Sequence, residues 1–153
     1  SMGYNPKPAA AASAETSYAV SYSGLMDGMT LSAGRFDDGD VAENDTYGVK
    51  YVAGSITAAY QITKVDYEAT GTNDQDAAHM GVSIAVNENL TVSAGRQEVE
   101  IDTKADDEVN TGIQASYTMG SITLAGGFNE VESIGGAASS DAEVAMFNAA
   151  FAF

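Results

Sequence analysis

Carboxylates are the side chains in this sequence whose number and spacing suit a chemical role, namely the binding of a metal ion. One group puts five of them within nine positions and comprises Asp37, Asp38, Asp40, Glu43 and Asp45. A second group comprises Asp102, Asp106, Asp107 and Glu108. Calcium binds through several oxygen ligands, so the first group is a candidate metal site and calcium the one cofactor that the sequence suggests. Neither group has the spacing D-x-[DN]-x-[DN]-G, and the alternative interpretation is a solvated acidic loop.

The sequence contains few of the residues and motifs that enzymes use for catalysis. His79 is the only histidine, cysteine is absent, and no serine stands in a G-x-S-x-G context. A lone histidine that follows an acidic loop is most often a surface residue. We therefore expect no enzymatic activity, and the function has to come from the elements that carry these side chains.

The composition does not identify the cellular compartment, but it limits the possible architectures. The chain has 153 residues, no Trp and a formal net charge of -16, and we expect no nucleic-acid partner. No apolar run approaches the roughly 18 residues of a membrane-spanning helix, whereas a membrane-spanning strand needs only about 9 to 11 residues with alternate ones apolar. Ser1-Met2 resembles a vector remnant. We assign residues 1–15 to that remnant and a loop segment, and residues 16–153 to the folded part.

Two strand signatures recur along the chain. One series includes Thr30-Leu31-Ser32-Ala33-Gly34-Arg35 and Thr91-Val92-Ser93-Ala94-Gly95-Arg96, and its equivalent threonines are 27, 34 and 32 residues apart. The other series includes Gly48-Val49, Gly81-Val82 and Gly112-Ile113. A period near 30 with two strand types indicates a repeated β-hairpin.

The pattern predicts nine strands joined by connections of alternating length. The strands lie near residues 16–25, 29–37, 45–53, 55–67, 77–87, 90–101, 110–119, 121–132 and 143–153. Short turns include Ala53-Gly54 and Met119-Gly120, and the long acidic loops are 37–44, 69–76, 102–108 and 133–141. This asymmetry predicts an all-β, antiparallel up-and-down outer-membrane β-barrel with periplasmic turns and extracellular loops.

Alternation along the strands separates a lipid-facing set of side chains from a lumen-facing set. Ile56, Ala58 and Tyr60 project towards lipid, and the predicted lumen-facing residues are Lys50, Thr57, Gln61, Gln114 and Ser116. Arg35 and Arg96 break the pattern, because each is in register with apolar residues. Two explanations are open: the arginine reaches the outer interface, or a bulge reverses the face.

The last strand, E-V-A-M-F-N-A-A-F-A-F, puts Phe147, Phe151 and Phe153 on one face. A closing strand that ends in Phe resembles the assembly signal of bacterial outer-membrane barrels. Together with the hairpin of residues 111–128, it resembles the carboxyl-terminal half of alphaproteobacterial general porins of the Rhodobacter type. That resemblance implies part of a sixteen-stranded trimeric barrel through which small polar solutes diffuse passively.

Several predictions about function and partners depend on this resemblance. The five lumen residues become pore-lining residues, and the acidic loops favour mild cation selectivity. Expected partners are outer-membrane lipid and lipopolysaccharide, together with a homotrimer or a missing amino-terminal half. Because single-chain barrels have even strand numbers, nine strands match a half; a miscount would instead give a complete eight- or ten-stranded barrel. The alternative functions are a structural or adhesive barrel without a channel, and a secreted acidic β protein that binds calcium.

Overall fold

A computed structural model of the chain, which describes residues 2–5, 15–39, 41–68, 71 and 73–151, contains one antiparallel sheet. Each strand pairs with the next one along the chain, so the spatial order is the sequence order. The strands are β1 (Met2–Asn5), β2 (Glu15–Tyr22), β3 (Met29–Asp37), β4 (Ala42–Ala53), β5 (Ile56–Tyr67), β6 (Gln75–Ala85), β7 (Leu90–Ile101), β8 (Glu108–Met119), β9 (Ile122–Glu132) and β10 (Ala142–Phe151). The all-β, up-and-down prediction is confirmed.

The nine predicted strands correspond to β2–β10, with end points that differ by three residues or fewer. The strands form because Val, Ile and Tyr alternate with Thr, Ser and other polar or small residues over 8 to 12 positions, which suits a pleated strand with two unlike faces. β1 is additional. Its four residues pair with β2 from Met2↔Tyr18 to Asn5↔Glu15, inside the segment predicted as a loop. Four residues are too few to give a readable alternation.

The connection between β3 and β4 is shorter than predicted. It spans only residues 38–41, because β4 begins at Ala42 and its pairing with β3 continues to Asp37↔Glu43. Glu43, which was predicted to lie in a loop, therefore lies within a strand. The prediction of a loop over 37–44 was wrong because charge was taken as a sign of irregular structure.

Tight turns close the hairpins at the opposite end of the sheet. β4 and β5 are joined by Gly54-Ser55, and β8 and β9 by Gly120-Ser121; both glycines have a φ of 59°. A glycine with positive φ in the first position matches a type II′ turn, which follows the strand twist. The turn at residues 86–89 is stabilised by a side chain rather than by a glycine. Asn87 Oδ1 accepts hydrogen bonds from the backbone N–H groups of Asn89 and Leu90, both at 2.9 Å.

The sheet has almost no buried core. Among the described residues, Ala42 is the only buried apolar side chain, and large apolar side chains such as Val20 and Ile113 are 63% and 59% exposed. Within the described ranges no helix is long and apolar enough to cross a membrane. Both faces of the sheet are thus exposed, and the side chains on each face determine which environment that face can contact.

Candidate functional site

An unbroken register from β2 to β10 fixes which residues share a face. Directly opposed residues in antiparallel strands point to the same side, and the pairings run from Thr16↔Asp37 to Phe151↔Ile122 without an interruption. A bulge would shift the parity of every later strand. The two faces can therefore be followed across nine strands.

One side of the sheet, the apolar face, carries continuous cross-strand rows of apolar side chains. One row consists of Met29, Tyr51, Ala58, Val82, Ala94, Ile113, Phe128 and Ala145. The next row towards the tight turns consists of Ala53, Ile56, Ile84, Val92, Ala115, Gly126 and Phe147. Apolar rows this long exceed the patches that soluble proteins leave in water. They form a surface suited to lipid.

At the loop end, the apolar face finishes in charged side chains, most of them in one row, the ionic row. These charged groups explain why Arg35 and Arg96 can lie in register with apolar residues. The row runs Tyr18, Arg35, Asp45, Lys64, Asp76, Glu100 through successive pairings. Arg35 forms ion pairs with Glu43 and with Asp45, the latter at 3.5 Å, and Lys64 pairs with Asp76. Arg96 Nη2 lies 2.9 Å from Glu98 Oε2. The arginines thus share the apolar face, with no bulge, but reach carboxylates at its edge.

The opposite side of the sheet, the polar face, carries all five residues predicted to face the lumen. Thr57 and Gln61 lie on β5 and Lys50 opposes Ala59 of the same face, while Gln114 and Ser116 lie on β8. Hydroxyl pairs cross the strands here, as between Thr46 and Thr63 at 3.2 Å and between Thr118 and Thr123 at 3.1 Å. In the described strands, Lys50 is the only lysine or arginine on this face.

Three neighbouring rows on the polar face define a depression. The amide row consists of Gln61, His79, Gln97 and Asn110, which oppose one another in succession on β5–β8. The glycine row, two residues closer to the tight turns, consists of Gly81, Gly95 and Gly112. The serine row, two residues further, consists of Thr57, Ser83, Ser93 and Gln114. A cavity of about 430 Å³ is lined by the β7 and β8 members of these rows, together with His79, Gly127 and Asn129.

Asn129 extends the depression towards β10. It opposes Gly112, and a Cβ added at Gly112 would lie only 2.5 Å from Asn129 Oδ1. The absence of a side chain at Gly112 thus provides the space that the Asn129 amide occupies. Sequence reasoning missed Gln97, Asn110 and Asn129 and treated His79 as an ordinary surface residue. The recurring glycines at 81, 95 and 112 were the signal that could have located the depression.

The acidic group proposed for calcium is only partly described. Asp37 Oδ1 accepts the N–H of Gly39 at 2.7 Å, Glu43 and Asp45 hold Arg35, and Asp40 lies outside the described residues. In the part of the chain that the structure covers, no three His, Asp or Glu side chains are grouped so as to hold a metal ion. The calcium site stays a prediction.

The long connections contact one another at the loop end. Asp102 N donates to Asp74 O at 3.0 Å, and Thr103 Oγ1 donates to Asn73 Oδ1 at 3.0 Å, which links residues 68–74 to 102–107. Gly135 N donates to Glu108 Oε2 at 2.8 Å and brings residues 133–141 against the start of β8. Of the carboxylates in the described residues, all except Asp27 and Glu88 belong to this end of the sheet.

β10 carries the aromatic residues predicted to act in assembly. Phe147 and Phe151 lie on the apolar face and are 76% and 58% exposed. Phe153 lies outside the described residues. Among the pairings described, β10 bonds only to β9.

The sequence was compared with models of known protein families, and the family that matches is consistent with this sheet. The family model described as Gram-negative porin matches residues 1–153. No curated protein sequence matches the chain.

Proposed function

This chain belongs to the Gram-negative porin family, a class of outer-membrane channels, and from that premise we propose that it forms a mildly cation-selective pore wall. The polar face would line the water-filled lumen, and the apolar face would contact lipid. Small polar solutes and ions would diffuse passively along the polar face. The pore-lining residues in this proposal are Lys50, Thr57, Gln61, Gln114 and Ser116.

The observation that carries the proposal is the separation of the two faces over an unbroken register. Every strand from β3 to β9 contributes apolar side chains to one face and hydroxyl, amide or glycine positions to the other. A soluble sandwich would cover one of these faces with a second layer, whereas a barrel in a membrane leaves one in lipid and the other in water.

Charge distribution supports cation selectivity. The connections at the loop end carry seven described carboxylates, and a solute would pass these before it reaches the polar face. They are Asp38, Glu68, Asp74, Asp102, Asp106, Asp107 and Asp141. The carboxylates within the strands lie mainly on the apolar face. Carboxylates around a mouth raise the local cation concentration within about one Debye length, roughly 10 Å at 0.1 M salt. Lys50 stands on the polar face nearer the tight turns and would oppose this effect weakly.

Closure of the pore requires partners for the sheet edges. Among the described pairings, β1 and β10 each have one neighbour, and lipid does not tolerate unpaired backbone groups. We propose that further strands complete the barrel, either from an amino-terminal half or from other copies of the chain, and that barrels assemble as a homotrimer. Lipopolysaccharide would then contact the ionic row at the outer edge of the apolar face.

A reversal-potential measurement in a planar bilayer tests the proposal. The protein is purified in detergent, its heat-modifiable gel mobility is checked, and it is inserted between two KCl solutions of different concentration. We expect ohmic conductance and a reversal potential of the sign that potassium permeation gives. A folded, heat-modifiable protein without conductance would favour the structural barrel instead, and anion selectivity would contradict the role given to the acidic loop end.

A further inference from the structure

The depression on the polar face has the features of a binding site rather than of a smooth pore wall. Its volume, about 430 Å³, falls in the range of small-molecule sites, about 300 to 1,000 Å³. Gly95 lies in its floor and has no side chain to keep a ligand away from the sheet, while the Asn129 amide occupies the space over Gly112. Adjacent strands are about 5 Å apart, so the depression, whose lining runs from His79 on β6 to Asn129 on β9, spans roughly 15 Å and could seat a single sugar ring.

The rim of the depression offers unused hydrogen-bonding groups. In the described part of the chain, the side chains of Gln97, Asn110 and Asn129 hydrogen-bond to no other protein group. Each amide has two donors and an acceptor oxygen. Because Gln97 and Asn110 are directly opposed and Asn129 leans over Gly112, the three amides surround one space.

The chemistry of the rim selects an uncharged ligand. No carboxylate, lysine or arginine side chain of the polar face lines the depression. Arg96 contributes to the lining, but its guanidinium belongs to the opposite face and pairs with Glu98. A cation would find no counter-charge here and an anion only the imidazole of His79, whereas hydroxyl groups, which both donate and accept, match side-chain amides.

We propose that this depression binds neutral, hydroxyl-rich solutes such as sugars, with Gln97, Asn110 and Asn129 as the recognising groups. The inference rests on the proposed function, since a solute would reach the polar face through the lumen. A shallow, open site that uses a few neutral hydrogen bonds is weak, with a Kd of about 1 mM or higher. Weak binding suits passage, because a solute has to leave as readily as it enters.

Single-channel current under a glucose or maltose titration tests this proposal. We expect sugar to reduce the current saturably, beyond the reduction caused by a polyethylene glycol of the same size. Asn110→Ala and Gln97→Ala each remove one amide from the rim and should weaken the apparent sugar affinity about 3- to 10-fold. Asn148→Ala is the matched control, because Asn148 is on the polar face of β10 outside the depression and its loss should leave the affinity unchanged.

A second measurement separates failure of the site from failure of the channel. Side-chain amide resonances of the protein in micelles are followed by NMR while glucose or maltose is added. Conductance without saturable block or amide shifts would overturn the sugar site and leave the pore intact. Amide shifts at Gln97 and Asn110 without conductance would keep the site and reject the pore. Equal effects of Asn110→Ala and Asn148→Ala on sugar affinity would also overturn the site.

If the alanine variants fail to give a heat-modifiable band, Gly95→Ala provides an alternative. A Cβ at Gly95 would lie 3.3 Å from Met80 O, so a shift of a few tenths of an ångström accommodates it, and the heat-modifiable band checks that the variant folds. The variant places a methyl group in the lining of the depression. Sugar affinity should fall while the conductance without sugar stays within about a tenth of the original, since a methyl group is small beside a water-filled lumen. Unchanged affinity in the folded variant would contradict the seating of a ring over Gly95.

Discussion

Arg35 illustrates how a charged residue can belong to an apolar face. Its neighbours two positions away, Ala33 and Asp37, share that face, and its guanidinium reaches Glu43 and Asp45 on β4. A long side chain can keep its charge at the interface while its stem covers apolar surface. The sequence raised the question of Arg35 but could not answer it, because the partners depend on the β3–β4 register.

Replacement of Arg35 should weaken the barrel. In Arg35→Gln, Glu43 and Asp45 lose their shared cation at the edge of the apolar face, and their mutual repulsion is no longer offset. We expect a lower temperature for loss of the compact gel band. Lys50→Gln is the control, since Lys50 has no ion pair among the described residues; a comparable drop in both variants would reject the explanation.

Lys50 should set part of the ion selectivity. Lys50→Glu reverses the charge at this position: it removes the one lysine or arginine that the described strands place on the polar face, and it adds a carboxylate. The ratio of potassium to chloride permeability should rise about two- to fivefold at low salt and less at high salt, because counterions screen the charge. The reversal potential in a KCl gradient measures this ratio. An unchanged ratio would show that Lys50 does not face the permeating ions.

Strands were predictable from alternation, whereas their ends and contacts were not. Ile56, Ala58 and Tyr60 against Thr57, Ala59 and Gln61 give β5 and its two faces directly. The first three residues of β4 were missed because Glu43 looks like a loop residue until the register with β3 brings Arg35 within reach of it. The depression was missed because the grouping of Gln97, Asn110 and Asn129 depends on turn lengths, and one residue more in a turn would move a strand to the other face.

The β4–β5 turn offers a test of local geometry. Gly54 has a φ of 59°, and no atom lies within 4 Å of a Cβ placed there, so Gly54→Ala introduces backbone strain without a clash. The free energy of unfolding should fall by about 1 to 2 kcal/mol, the cost of a left-handed conformation for a residue with a Cβ. Urea unfolding in micelles measures it, with Ser55→Ala as the control. Equal stability of the Gly54→Ala variant and the original would contradict the turn assignment.

The terminal strand should matter for assembly in the cell. Phe147 and Phe151 cover no core, yet both present a large ring on the apolar face of β10. We expect Phe147→Ala and Phe151→Ala to lower the amount of protein that reaches the outer membrane. Met146→Ala changes a side chain on the polar face of the same strand, 63% exposed, and should not do so. Membrane fractions compared by immunoblot decide the matter; equal levels of all three variants would rule out a special role for the aromatic face.

The molecule as a whole is a sheet whose function is set by what lies on each side of it. Family membership and face chemistry agree on a channel wall. In the proposed function, the acidic loop end would attract cations, the polar face would line the path of solutes, and the ionic edge of the apolar face would contact the membrane surface. This division needs the polar face in water and the apolar face in lipid, which is the central claim.

Cysteine scanning of β5 tests that claim most directly, because the natural sequence contains no cysteine. Single cysteines at positions 56 to 63 are introduced, and the folded protein in lipid vesicles is treated with a charged, water-soluble maleimide. We predict labelling with a period of two: fast at Thr57, Ala59, Gln61 and Thr63, and slow at Ile56, Ala58, Tyr60 and Ile62. Uniform labelling of both sets, or faster labelling of the second set, would contradict a sheet with one face in water and the other in lipid.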